Sequence, residues 1–196
     1  MNQEYYPSTF DAGLSVSGRG PIIPPKVGPG SDEGFQKLVA GIAAKAGERS
    51  GSHSLIQFFC QATREFFEVS GVYYWGCHLA GELVGEQADG KLAERFVGMR
   101  LRPEQSAVTA EAVRQRRTIF ANHVKSTGFP AALEFEARSL MAAPLTVLNE
   151  VTGAITFLHD SGLEFFNEGL AAQATILAGQ LGSLLEACLL YTSRCV

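Results

Sequence analysis

The hydrophobic positions of this chain change period several times, and each change marks an element. After Phe35 they fall at Leu38, Val39 and Ile42, the spacing of one helix face. Ser31-Asp32-Glu33 precedes them, a side-chain acceptor for a free backbone N–H followed by two carboxylates at the positive end of the helix dipole. A helix is predicted to start there. The stretch GERSGS, residues 47 to 52, breaks it. A second stripe of Leu55, Phe58, Phe59, Ala62, Phe66 and Phe67 predicts a second helix, capped by Ser52 or Ser54.

The period then shortens to two. VYYWGCHL, opened by Gly71, and LVGEQA, across the turn Ala80-Gly81-Glu82, predict two partner strands rich in β-formers. Alternation puts Tyr73, Trp75 and Cys77 on one face and Tyr74 and His78 on the other, without saying which face meets a pocket. Ala107 to Arg117 predicts a short amphipathic helix on Val108, Ala112 and Val113, followed by the short strand TIFA, Thr118 to Ala121. Residues 122 to 137 form a long connection holding Phe129-Pro130, Leu133 and Phe135. SLMAAPLTVL and VTGAITFLH across Asn149-Glu150 predict a hairpin. Pro144 cannot donate to a ladder, so it belongs at an edge or an irregularity. From Phe165 to Cys188, Leu170, Ala174, Leu177, Leu181, Leu184 and Cys188 recur every three or four residues, a spacing that suits a core face or a coiled-coil seam.

The order is helix, helix, hairpin, helix, hairpin, long helix. Strands adjacent in sequence predict an α+β fold, with an antiparallel sheet of five to six strands and the N- and C-terminal helices packed on one face. Residues 1–31 carry GRGPIIPPKVGPG and read as a flexible Pro/Gly-rich arm. Residues 32–188 form the domain. Residues 189–196 depart from the preceding pattern and read as a non-domain tail, an assembly artefact at a truncation point.

Composition narrows the function classes. The chain has 196 residues, enough for one domain with appendages. A net charge of -4 argues against a nucleic-acid-binding face. No apolar run reaches the roughly 20 residues of a membrane span. The N-terminus lacks a basic start followed by an apolar stretch, so the expected compartment is cytoplasmic. Cys60, Cys77, Cys188 and Cys195 are widely spaced and suggest neither a disulfide framework nor a zinc site. His53, His78, His123 and His159 never stand at i, i+4, so no metal site is predicted. Arg114, Arg116 and Arg117 suit the negative end of a helix, and Glu134 and Glu136 a solvated loop. No catalytic residues are predicted.

Four segments carry a resemblance to the GAF family of sensory domains. LIQFFCQATREFFEVSGVYYWGCHL looks like the family's opening helix and first strand. AVTAEAVRQRRTIFAN is similar to its small-residue helix ending in a polar turn and a short strand. RSLMAAPLTVLNEVTGAITFLHD resembles its most recognisable stretch, in which a strand ends in Pro-Leu, turns, and continues through Gly. FFNEGLAAQATILAGQLGSLLEA is similar to its closing helix. The match covers roughly residues 52 to 188.

The resemblance implies a GAF/PAS-like fold with a small-molecule pocket on the sheet face opposite the helices. It also implies a place in signal transduction, with the closing helix passing a change to an output domain or partner protein. On that resemblance the candidate ligand-binding residues are Trp75, Cys77, Phe120, Asn122, His123, Phe129, Phe135, Arg138, Met141 and Phe157. Lys125 and Ser126 would add polar anchors. Leu177, Leu181 and Leu184 would form the seam of a homodimer. The cyclic-nucleotide signature Asn-Lys-x-x-Phe-x-x-x-Asp-Glu is absent. Cys77-His78 is the bilin-attachment dipeptide but lies in the first strand, not in a pocket helix. Both ligands are therefore set aside; haem on one histidine stays open, and the ligand is unnamed. Two alternatives accompany this expectation: a ligand-free dimerisation module with a filled pocket, and a GAF-fold free methionine sulfoxide reductase, for which the cysteines offer no evident thiol pair.

Overall fold

The computed structural model describes residues 31–48, 51–104, 107–122, 138–148, 150–160 and 164–193. Helix α1 runs over Asp32–Gly47, and the Ser31 hydroxyl accepts from Gly34 N at 3.2 Å as its cap. Helix α2, Gly51–Phe67, starts at Gly51, whose φ of +83° glycine tolerates without strain. Ser52 and Ser54 therefore lie inside its first turn. Its buried residues are Leu55, Ile56, Phe59, Cys60, Thr63 and Phe67. Thr63 donates its hydroxyl hydrogen to the Phe59 carbonyl at 2.7 Å, which lets a polar side chain sit in this face.

Six strands follow: β1 Gly71–Cys77, β2 Leu83–Gly90, β3 Arg100–Leu101, β4 Ile119–Asn122, β5 Ser139–Val147 and β6 Glu150–His159. They form one antiparallel sheet in the order β3-β2-β1-β6-β5-β4. A 3-10 turn, Leu79–Gly81, joins β1 to β2. Helix α3 is Ala93–Phe96, α4 Val108–Gln115 and α5 Glu168–Ser193. The α+β architecture expected from the sequence is the one observed.

Several details differ from the sequence reading for identifiable reasons. Helix α3 and strand β3 are too short to establish a period. In the second hairpin Val147 pairs with Glu150, so the turn starts at Leu148, with φ 47°, and not at Asn149. Pro144 sits beyond Ala142, where the pairing of β5 with β4 ends, and next to the register shift at Leu145/Thr146. Its missing N–H is tolerated on that locally free edge. Helix α5 continues past Cys188 to Ser193, so residues 189 to 193 are helical.

The sheet separates two apolar cores. On one side α1, α2 and α5 close over Val72, Tyr74, Met141, Ala143, Ile155 and Phe157. On the other, α3, β3 and α4 cover Tyr73, Trp75, Leu140, Ala154 and Leu158. At Gly153 β6 lies close against β1; a Cβ there would stand 2.5 Å from the Trp75 carbonyl oxygen. This accounts for the glycine in VTGAITF.

Burial of the two tyrosines has a consequence in alkali. Tyr74 is pushed up to about 12 by desolvation and then by Glu86 and Cys60, and burial raises Tyr73 as well. In the unfolded chain both phenols lose their protons near the ordinary value of about 10. Between there and about 12 the folded state holds more protons than the unfolded one, so stability falls as pH rises through that window. Urea midpoints should be lower at about pH 11 than at about pH 9, and Tyr74→Phe should remove part of the difference. Equal midpoints would contradict the burial of both phenols.

Candidate functional site

Strand register divides the candidate residues between the two faces, because directly paired residues project to the same side. Phe120 pairs with Met141, Met141 with Phe157, and Phe157 with Val72. This row faces the α1/α2/α5 layer: Met141 and Phe157 are fully buried in that core, and Phe120 packs against it. The next row, Ile119–Ala142–Thr156–Tyr73–Ala88, belongs to the opposite side. Trp75 stands on that side as well, with Cys77 partly buried at its margin. The described candidates, expected around one pocket, are thus divided between the two faces. His123, Phe129 and Phe135, with Lys125 and Ser126, lie outside the described residues. Arg138 is exposed, and its backbone N–H donates to the His159 carbonyl at 3.1 Å.

The α3/α4 side is aromatic at its centre. The Trp75 ring meets Phe96 edge-on, with centroids 4.6 Å apart, and Tyr73 approaches the same ring at 5.0 Å. The Tyr73 hydroxyl donates to the Lys91 carbonyl. The Trp75 indole N–H donates to Thr156 Oγ1 at 3.0 Å, and the Thr156 hydroxyl lies 2.7 Å from that of Thr109 on α4. Phe96, Thr109 and Thr156 escaped the sequence reading. One signal was present: in β6 the positions sharing a face with Trp75 carry Ala154 and Thr156, small residues in an otherwise bulky strand.

Asn122 has a different role from the one its loop-side position suggested. Its amide nitrogen donates to the Phe166 carbonyl at 2.9 Å, and its amide oxygen accepts from Phe166 N at 3.2 Å. Asn167 then caps α5, accepting from Leu170 N at 3.0 Å. At the other end of β4, the Thr118 and Thr175 hydroxyls are 2.6 Å apart. Thr175 spends its hydrogen on the Ala171 carbonyl, so Thr118 is the donor. Strand β4, which leads into residues 123–137, is therefore fastened at one end to the segment entering α5 and at the other, through Thr118, to α5 itself. Asn122→Ala would leave two backbone groups at Phe166 without their partners. We predict a loss of about 1–3 kcal/mol, with hydrogen-exchange protection lost first at the start of α5. Unchanged exchange over residues 166 to 171 would contradict this fastening.

Two of the described thiols sit where burial disfavours the thiolate. Burial drives the Cys60 thiol strongly up, and burial also raises Cys77. A raised thiol is a poor nucleophile. Cys188 is partly buried on α5. Among the described residues no group of three His, Cys, Asp or Glu converges as metal ligands. His78 contacts Glu86 at 3.2 Å, and His159 stacks on Phe165 with centroids 3.6 Å apart. No helix among the described residues is long and apolar enough to cross a membrane.

The proposed seam of α5 is largely occupied within the chain. Leu177 and Leu181 are fully buried against the sheet and the other two helices of that layer, and Leu184 is partly buried against the same core. Leu177 and Leu181 fill the core of their own chain and are not free for a second copy.

A six-stranded antiparallel sheet, with three helices on one face and a short-helix layer on the other, defines a layered α+β module. The family model for the GAF domain matches residues 51–186, and the chain belongs to that family. No curated protein matches significantly. Among solved structures, the chain is similar to the GAF domain of an Acinetobacter phosphoenolpyruvate-protein phosphotransferase (TM-score 0.68, 11% identity, 84% of this chain and 99% of that one). It is also similar to the free methionine-R-sulfoxide reductase of Neisseria meningitidis, solved with its substrate (0.71, 19%, 84% and 96%). A third is the GAF domain/HD domain protein of Geobacter sulfurreducens (0.62, 14%, 74% and 98%). At these identities the likeness is one of fold, and that fold occurs in signalling proteins and in a reductase alike.

Proposed function

We propose that this GAF domain is a sensor: it binds a small molecule on the α3/α4 side of the sheet and passes the change to an output through α5. The attachment of β4 to α5 and to the segment that enters it carries the reading. Asn122 and Thr118 bind Phe166 and Thr175, so a shift of β4 or of the segment after it is felt directly at the start of the long helix. A ligand would act by favouring one position of that pair over another. The role is regulatory and not catalytic. The raised thiols of Cys60 and Cys77 weigh against reductase chemistry like that of the Neisseria protein. Pairing of two copies belongs to the same reading, with Leu184, only partly buried, as the seam position less committed to the core. An output domain or partner in the cytoplasm completes it.

One observation favours a second reading, a ligand-free structural module: Tyr73, Trp75 and Phe96 already fill much of the α3/α4 side. Thermal shift against a panel of metabolites, nucleotides and haem separates the two. A ligand at about 100-fold over its Kd should stabilise the sensor by roughly 2.7 kcal/mol. In Asn122→Ala the ligand should still bind but no longer change hydrogen exchange in α5. A flat panel would support the structural module instead.

A further inference from the structure

Charge is unevenly placed along this chain. From Ala93 to Arg117, the stretch that builds α3, β3 and α4, six arginines stand against three glutamates, a net charge of +3. All other residues together carry ten basic and seventeen acidic side chains, a net charge of -7. Arg95, Arg100, Arg102, Arg114, Arg116 and Arg117 are all exposed. The fold explains why they share one layer. These elements cover the Trp75 side of the sheet, so Phe96, Leu101 and Ala110 point inward and the polar positions turn outward. In β3 and just after it the alternation is plain: Leu101 is buried between exposed Arg100 and Arg102. Arg114 Nη1 donates to the Pro103 carbonyl at 2.7 Å, which brings α4 against the end of β3. A Cβ on Gly81 would stand 3.3 Å from Pro103, so the turn Leu79–Gly81 borders the same surface.

The helix dipole accounts for Arg114, Arg116 and Arg117 at the end of α4, but not for Arg100 and Arg102 at a strand. Local pairing does not cancel the charge either. Arg100 pairs with Glu82 and Arg114 with Glu111, and with Glu82 counted the face keeps a net charge of +2. Exposed pairs of this kind are worth only about 0–1 kcal/mol, so an incoming carboxylate can replace the resident one. Two large apolar side chains stand at the same surface: Val97, between Arg95 and Arg100, is 61% exposed, and Leu79 is 95% exposed. We propose that the outer face of α3, β3 and α4 docks a short acidic segment of a partner protein, with its carboxylates on the arginines and an apolar side chain against Val97 or Leu79. The face's charge selects an anion, and the apolar pair selects a peptide. A long polyanion meets the field of the whole chain, whose net charge is -4, whereas a short segment senses charges within about 8 Å at physiological salt. Among the described residues the exposed large apolar side chains include no aromatic on which a nucleic-acid base could stack. A membrane surface would need a broad apolar helix face; α3 has four residues, and α4 turns Ala110 and Ala112 inward. The assignment rests on this outer surface and on no ligand, so it holds for the sensor and for the structural module alike.

Fluorescence anisotropy of a labelled acidic peptide, EELEDLEE, titrated with the full chain tests the assignment. At about 50 mM salt the peptide should bind with a Kd below about 1 mM, and at about 300 mM at least about fivefold more weakly. Arg102→Gln/Arg117→Gln should weaken binding at least about fivefold. Lys37→Gln/Lys45→Gln makes the same change in net charge on α1 and should leave binding within about twofold. The peptide EESEDSEE, without leucines, should bind at least about threefold more weakly, and equal binding would overturn the apolar contact. No binding of EELEDLEE up to about 1 mM, or an equal loss in both double variants, would overturn the inference. Tighter binding of oligothymidine or of phosphatidylserine vesicles than of the peptide would overturn the class of partner. In the isotope-labelled wild type, amide shifts caused by the peptide should concentrate in residues 93–102 and 108–117. Shifts gathered elsewhere would place the surface elsewhere and overturn the assignment, however the variants fold.

Discussion

Leu181→Glu should abolish folding of the chain and not merely its association. Leu181 is fully buried where α5 crosses the sheet, beside Leu177 and Ala178. A carboxylate there has no cation among the described core residues around it. Burying a charge unpaired costs several kcal/mol, and ordinary domains have only about 5–15 kcal/mol in total. Circular dichroism should show loss of the cooperative transition. The control is Ile176→Glu on the same helix, a residue 56% exposed, which should leave the fold intact. If Leu181→Glu kept a native spectrum and only became monomeric, Leu181 would be an interface residue and the assignment of α5 to the core would be wrong.

Trp75→Ala should cost about 3–5 kcal/mol, the range for removing a large aromatic from a packed core. The change empties the space against Phe96 and removes the donor to Thr156. Trp75→Phe keeps an aromatic ring but loses the indole N–H, and should cost less, about 1–2 kcal/mol. Both variants lack tryptophan, so guanidinium unfolding is to be followed by circular dichroism. A loss under about 1 kcal/mol for Trp75→Ala would mean that the ring is loosely held, contrary to the packing described here.

The elements were legible wherever a period had room to repeat. Leu38 and Ile42 mark α1 at helical spacing, and both are buried. Tyr73 and Trp75 fall on one sheet face as alternation requires. Helix α3 has four residues and β3 two, too few to show either pattern. The site was less legible, because its boundaries depend on register between distant strands. The sequence shows that Phe120, Met141 and Phe157 are apolar and strand-borne. Only the pairings Phe120↔Met141 and Met141↔Phe157 reveal that they share the helix-facing side. Likewise the three-and-four spacing of α5 fits a core face and a dimer seam equally well. Packing against the sheet decided in favour of the core for Leu177 and Leu181. Thr109 and Thr156 lie 47 positions apart, and nothing local announces that their hydroxyls meet.

Native mass spectrometry of the gently purified chain, incubated with a panel of metabolites, nucleotides and haem, tests the central claim most directly. If the chain is a ligand-receiving sensor, a fraction should carry one added small-molecule mass. That mass should disappear under denaturing conditions, and Trp75→Ala should lower the fraction. A chain that stays at its bare mass across the whole panel, while remaining folded, would contradict the claim.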